Sequence, residues 1–313
     1  MDVYRFVNDL PQFENAVLTI GTFDGVHVGH QKIIAKIKEL AGQVNGKTVL
    51  LTFHPHPRLV LHPEETSLKL INTLDEKIHL LDRYGIDYLL IASFTEGFSQ
   101  TDPEAYVRDF LVKKINPRII AIGYDHHFGK DRKGNIEVLK ELSVKYGFEV
   151  VEIPKQLVED IAVSSTKVRQ AILNGEIKKA NELLGHHFSF EGQVIRGKGI
   201  GNELGYPTAN IFVDDKNYIL PAAGVYAALA EAEGQQLEGM LYIGNRPTFS
   251  GEELGIEINI FDWHGSLYGK KVKVEVVAEV RGDEKFDNAA QLQAQIAKDK
   301  EAVMAILAEE KAN

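Results

Sequence analysis

The sequence predicts an α/β domain with a doubly wound parallel sheet, followed by an antiparallel β-barrel domain that ends in a C-terminal helix. Three observations carry this expectation. From Ala16 to Gly185, short continuous apolar runs alternate with longer stretches of helical period. After Gly185 the runs become strand-like and are punctuated by Gly, Asp, Asn and Pro. A chain of 313 residues is long enough for two domains, and the change of rhythm places their boundary near Leu184–Phe188, giving 1–184 and 185–313.

The strand candidates of the first half are VLTI (17–20), TVLLTF (48–53), YLLIASF (88–94), RIIAIG (118–123) and EVVEI (149–153). Continuous apolar runs suit strands buried on both faces. Between them Ile33, Ile34, Ile37, Leu40 and Ala41 recur at helical spacing, as do Ile78 and Leu81, then Tyr106, Phe110 and Leu111. In such a sheet ligands sit beyond the carboxyl ends of the strands, where GTFDGVHVGH begins. The second half offers VIRG, TANIFV, GVYAALAEA, GMLYIG, GIEINIFDW and KKVKVEVVAEV. Lys271, Val272, Lys273, Val274, Glu275 and Val276 alternate strictly, as in an antiparallel sheet or barrel. A helical stripe of Leu292, Ile296, Val303, Ile306 and Leu307 is expected to close one end of that barrel.

Composition narrows the chemistry. Apolar residues make up 44% and charged residues 26%, ordinary globular values, and no apolar run approaches the roughly 18 residues a membrane span needs. The first residues lack a basic, apolar signal pattern, so a cytoplasmic address is expected, with no membrane partner and a monomer or weak homo-oligomer. There is no cysteine, which leaves oxygen, imidazole and cationic groups to do any chemistry. A net charge of −10 and the lack of a basic block argue against nucleic acid, and an anionic substrate would need local cations, helix N-termini or a bound metal.

In GTFDGVHVGHQ (21–31), His27 and His30 stand three apart at a strand-to-helix turn, with Gly21, Phe23, Asp24 and Gly29 around them. Three readings are open. The histidines and the free N–H groups of the helix start can receive phosphates. They can bind zinc if His54 and His56 contribute. Or one caps the helix and the other is solvated. A second segment, AVSSTKVRQAI (162–172), offers Ser164, Ser165 and Thr166 at a helix start, with Arg169 one turn later on the face of Ser165.

Together the H-x-G-H turn and the S-S-T-x-x-R helix start resemble the signature pair of the Rossmann-like adenylyltransferase superfamily. More narrowly, GTFDGVHVGHQ is similar to the FMN adenylyltransferase module of the bacterial bifunctional riboflavin kinase/FAD synthetases. This resemblance implies that the first domain is a nucleotidyltransferase in which His27, His30 and Arg169 are catalytic. Gly21, Phe23, Asp24, Gly29, Ser164, Ser165 and Thr166 would then bind ATP and its phosphates. IGYDHHFG (122–129) resembles the family's flavin-site run, implying Asp125 and Phe128 as flavin contacts, with His126 where phenylalanine is common.

RGKGIGNELGYPTAN (196–210) contains Gly197, Gly199, Gly201 and Gly205, but Pro207 leads into a strand, so it is no dinucleotide-binding loop. A phosphate-sized loop or a plain hairpin remains. GYPTAN, PAAGVYA (221–227), IGNRPTF (243–249) and IEINIFDWHGSLYGKKVKV (256–274) resemble, in order, the motifs of riboflavin kinase. The resemblance implies a kinase barrel in which Gly199, Gly201 and Gly205 cradle ATP and Thr208 and Asn210 offer oxygen ligands to Mg2+. It also makes Glu257 the general base and Arg246 a flavin contact. Alternation sends Glu257 to the face opposite Ile256 and Ile258, where an ordinary exposed strand glutamate is the other reading. Trp263 can pack on flavin or sit in the core or rim. The implied substrates are riboflavin, FMN and ATP.

Overall fold

A computed structural model of the chain describes residues 1–5, 10–64, 68–123, 125–154, 163–197, 201, 204–248 and 251–312; at 245–248 and 251–254 only the backbone is described. Gly199 and the Arg246 side chain therefore lie outside the described residues. Two compact units result, one of residues 1–68 and 72–164, the other of 69–71 and 165–313.

The first unit is a parallel sheet of six strands: β1 (Asp2–Tyr4), β2 (Val17–Ile20), β3 (Thr48–His54), β4 (Tyr88–Ser93), β5 (Ile119–Gly123) and β6 (Glu149–Ile153), in the order β1-β4-β3-β2-β5-β6. The apolar runs are continuous because each strand feeds two cores. Leu18, Leu51, Leu90 and Ile120 face one layer, with Val107, Leu111 and Leu139. Val17, Leu50, Leu89 and Ala121 face the other, with Ile34, Ile37 and Leu81. The second layer holds helix α1 (Val28–Gln43) and the helix Leu74–Arg83, whose Thr73–Glu76 capping box fixes its start. On the first, Tyr106–Ile115 is helical as its periodicity predicts, but as a π-helix. Strand β1 is not foreseen in the sequence: three residues at a sheet edge carry no usable period.

The order of strands reverses direction at β2, because β3 and β4 follow on one side of it and β5 lies on the other. The loops after β2 and β5 thus open together at the crevice where such sheets hold ligands.

The second unit is a closed antiparallel barrel of β7 (Phe188–Ile195), β8 (Ala209–Phe212), β9 (Gly224–Ala232), β10 (Gln235–Thr248), β11 (Gly251–Ile260) and β12 (Lys271–Gly282), ordered β10-β11-β8-β7-β12-β9. Register places Tyr226, Ala228 and Leu241 on one face of β9 and β10, and Val225, Ala227, Met240 and Tyr242 on the other. The first set fills the barrel with Phe188, Phe190 and Val274. The second packs against Val303 and Leu307 of the terminal helix Ala289–Ala312. That helix therefore covers the outer wall of β9, β10 and β12 instead of closing an end, because the wall itself is apolar on both faces.

This unit also includes the helices Ser165–Leu173 and Ile177–Leu184, so the compact division precedes the change of sequence rhythm. Asn181 explains their attachment. A bulge between Val276 and Ala278 disturbs the β12 ladder, and Asn181 Nδ2 donates to the carbonyls of Val276 and Val277 at 2.9 and 3.1 Å. Its Oδ1 accepts the Phe188 N–H at 2.7 Å, tying helix, bulge and first barrel strand together.

Arg281 on β12 and Asp299 on the terminal helix form a forked ion pair, Nε–Oδ1 3.0 Å and Nη2–Oδ2 2.8 Å, and Asp299 is 3% exposed. Removing one partner of a buried pair strands the other. Asp299→Ala should lower stability by about 3–5 kcal/mol, read from urea unfolding through the sole tryptophan, Trp263.

His187 lies 3.1 Å from Glu310 and 3.8 Å from Glu275, which is also held by Lys273. Glu275 raises the His187 pKa, and His187 in turn draws Glu275 down to about 2. The imidazole contribution is complete below its ordinary pKa and disappears as pH rises through the raised folded value. The Glu275 contribution is present above the ordinary carboxylate pKa and is lost as pH falls towards its depressed value. His187→Gln should therefore lower Tm clearly at about pH 5.5 and hardly at about pH 9.

Candidate functional sites

The first cluster occupies the turn from β2 to α1. His27 caps α1: its Nδ1 accepts the backbone N–H of His30 at 3.3 Å. Because Nδ1 accepts, the proton of neutral His27 sits on Nε2. The two imidazoles stack at 3.7 Å between centroids, and Phe23 lies 4.8 Å from His30. His30 Nδ1 is buried and has no hydrogen-bond partner. Burial, then the His27 ring and Lys77, hold the His30 pKa well below the usual imidazole value, so this ring is neutral.

The loop presenting them is strained. Phe23 has φ 48° and Val26 φ 39°, left-handed values unusual for an aromatic and a β-branched residue. A Cβ on Gly21 would meet the Phe23 ring at 2.9 Å. Asp24 is buried and its Oδ1 accepts the Asn72 N–H at 3.4 Å; Gly29 is buried in the first turn of α1. The cap reading of His27 thus stands, whereas His30 is packed against two rings and not simply solvated. Zinc finds no support: His56 caps the short helix Pro57–Leu61, and no cluster of three or more His, Cys, Asp or Glu that could hold a metal occurs among the described residues.

After β5, Asp125 is exposed, while Phe128 is buried against Tyr106 at 5.5 Å. His126 stacks on Phe128 at 6.1 Å, and its buried Nε2 has no partner. Burial pulls its pKa down to about 4, so it too is neutral. From Phe128 the rings continue through Tyr106 and Phe98 to Phe94 and Phe53, at the carboxyl ends of β4 and β3. This aromatic row was missed in the sequence because its members come from four separate segments.

Ser164 ends the first unit, and Ser165 and Thr166 open the helix Ser165–Leu173 of the second. Arg169 follows one turn later and donates its Nε to the Lys69 carbonyl at 2.7 Å.

On the barrel, Thr208, Asn210 and Glu257 come together on its outer face. Asn210 is the direct cross-strand partner of Glu257, and Thr208 Oγ1 donates to Glu257 Oε2 at 2.8 Å. Asn210 is buried, and Gly197 is required behind it, since a Cβ there would fall 2.1 Å from Asn210 Nδ2. Asn259, two residues from Glu257 on the same face, donates Nδ2 to the Pro207 carbonyl at 2.6 Å and so fixes the approach to Thr208. Gly201 accepts the Tyr206 N–H at 2.8 Å, Gly205 takes φ 84°, and Pro207 does lead into a strand. Tyr242 opposes Glu257 across β10 and β11 and donates to Asp283 at 3.0 Å; burial, with that carboxylate, pushes its pKa up to about 12. Trp263 is half-buried at a turn, its Nε1 donating to the Gly265 carbonyl at 2.9 Å.

With these clusters in place, the chain's likeness to known proteins is specific to each half. A family model described as FAD synthetase matches residues 9–167, and one described as riboflavin kinase matches residues 184–307. The "Bifunctional riboflavin kinase/FMN adenylyltransferase" of Listeria monocytogenes is 37% identical, covering 94% of this chain and 93% of the relative. Those of Bacillus subtilis and Escherichia coli K12 are 36% and 33% identical, over 91% and 96% of this chain and 90% and 96% of each relative. A crystal structure described as a macrolide-efflux protein from Streptococcus pneumoniae superposes with a TM-score of 0.87 at 33% identity, covering 96% of this chain and 98% of that one. Among the described residues no helix is long and apolar enough to cross a membrane. The chain belongs to the bifunctional riboflavin kinase/FMN adenylyltransferase family.

Proposed function

We propose that the two activities of this family, phosphorylation of riboflavin to FMN and adenylyl transfer to FMN, are carried by residues 185–313 and 1–184 respectively, both with ATP. Two polar clusters support this reading, one at the carboxyl edge of the parallel sheet and one on the barrel wall, each within the stretch matched by the corresponding family model. The enzyme would work in the cytoplasm as a monomer or weak homo-oligomer, without nucleic-acid or membrane partners, consistent with its net charge of −10.

In adenylyl transfer, a phosphate oxygen of FMN attacks the α-phosphorus of ATP and pyrophosphate leaves, so the protein must position two anions and needs no nucleophile of its own. His27 donates from Nε2 and His30 as a neutral imidazole, beside the N-terminus of α1. Gly21, Phe23, Asp24 and Gly29 shape the ATP pocket. Ser164, Ser165, Thr166 and Arg169 hold the departing pyrophosphate. Asp125 and Phe128, with the row of rings that continues from Phe128, bind the flavin.

In the kinase reaction, the ribityl hydroxyl attacks the γ-phosphorus, its proton passes to Glu257, and ADP leaves. The Thr208 hydroxyl orients that carboxylate. Thr208 and Asn210 are hard oxygen donors on one face beside it, a set that fits Mg2+. Bound there, the ion would supply charge neutralisation to the phosphates. Gly199, Gly201 and Gly205 line the phosphate loop, and Arg246 meets the flavin.

His30→Ala should abolish FAD formation from FMN and ATP while FMN production from riboflavin stays within about 2-fold of the parent, measured by resolving flavins over time. Unchanged FAD output would remove His30 from the site. Glu257→Gln should fold, bind ATP and lose FMN production by roughly 100-fold or more, with adenylyl transfer to supplied FMN intact. Parental kinase turnover would mean the base is another group.

A further inference from the structure

Lys77 is a buried lysine outside every motif so far assigned. It lies in the helix Leu74–Arg83, on the same face as Leu74, Ile78 and Leu81, and is 7% exposed. A lysine ammonium is among the most costly groups to bury, so its contacts matter. Its Nζ donates to the Thr22 carbonyl at 2.7 Å, inside the loop between β2 and α1. Its charge also faces the buried Asp24, which counters the fall in Lys77 pKa that burial imposes. The Thr22 carbonyl receives a second donor, Thr52 Oγ1 on β3, at 3.2 Å. Two residues later the same loop is held again, where Asp24 accepts the Asn72 N–H. Between these two holds lies Phe23, whose backbone is left-handed and whose ring packs on His30.

We propose that Lys77 is a positioning residue for adenylyl transfer: by gripping the Thr22 carbonyl and facing the Asp24 carboxylate, it keeps the strained loop in the one shape that delivers His27 and His30 to the phosphates. This rests on the reading that those histidines serve adenylyl transfer. The groups that act electrostatically on His30 are His27 in its own turn and Lys77 from the neighbouring helix, while Asp24 acts on Lys77. Loss of the lysine charge therefore relaxes the loop and also lets His30 take a proton at higher pH.

The test uses the full chain, whose kinase reaction serves as an internal control for folding. Lys77→Met should lower kcat for FAD formation by ~100-fold, with KM for ATP and FMN changed by no more than ~3-fold, because a displaced catalytic group costs turnover more than binding. Kinase activity should stay parental, and the acid limb of the adenylyl-transfer pH profile should move to higher pH. Lys77→Arg, which keeps the charge, should leave that limb in place and recover part of kcat. Thr52→Val removes only the second donor to the same carbonyl and should lower kcat by ~3- to 10-fold, so it decides the matter even if Lys77→Met fails to fold. Parental adenylyl-transfer kcat in Lys77→Met or Thr52→Val, or a loss matched by an equal loss of kinase activity, overturns the proposal. If His30→Ala has lost FAD formation, such a result sinks the role of Lys77 alone; if His30→Ala retains it, the reading of the histidines has failed.

Discussion

The central position of β2 in a fully parallel sheet is the constraint on which the first half depends. With β3 and β4 on one side and β5 on the other, the chain must leave β2 and β5 in diverging directions, and a crevice opens at their carboxyl ends. The loop after β2 has few residues in which to turn into α1, and it manages this only with left-handed backbone at Phe23, Gly25 and Val26. Such backbone persists where its surroundings over-determine it. Here Thr52, Lys77, Asn72 and Gln31 all hold groups of that loop. The capping His27 and the neutral His30 can then stack in a buried position at the start of α1.

The barrel solves the same problem differently. Closure leaves no exposed edge, and alternation gives each strand an inner and an outer face. Part of the outer face of β9, β10 and β12 is covered by the terminal helix, anchored by Arg281 and Asp299. The outer face of β8 and β11 instead carries Asn210, Glu257 and Asn259. A rigid wall thus presents polar groups in a fixed register, with glycine at 197 to let Asn210 sit close.

The regular parts of both halves were legible from the residues because burial dictates them. VLTI, EVVEI and GVYAALAEA are strands over the predicted residues, since short apolar runs whose side chains pack on both faces of a sheet stand out in the sequence. The histidines, Thr208, Asn210 and Glu257 were legible through family motifs, and the structure brings the last three together on one face. Other features depend on contacts distant in sequence. The stripe on the terminal helix says that it packs, but not that it packs on a wall. The helices at 165–184 continue the α/β rhythm yet join the barrel, because Asn181 meets a bulge that no local pattern announces. Lys77 did leave a trace, a lysine at an apolar position of an amphipathic helix, which has meaning only once its partner at Thr22 is known.

The central claim is that two separate clusters of positioned polar groups perform two successive transfers on one flavin. Complementation tests it most directly: the His30→Ala and Glu257→Gln chains are mixed with riboflavin, magnesium and ATP, and flavins are followed over time. The account predicts no FAD from either chain alone and steady FAD from the mixture after a lag in which FMN builds up. FAD from either variant alone, or none from a mixture in which each chain retains its other activity, would contradict it.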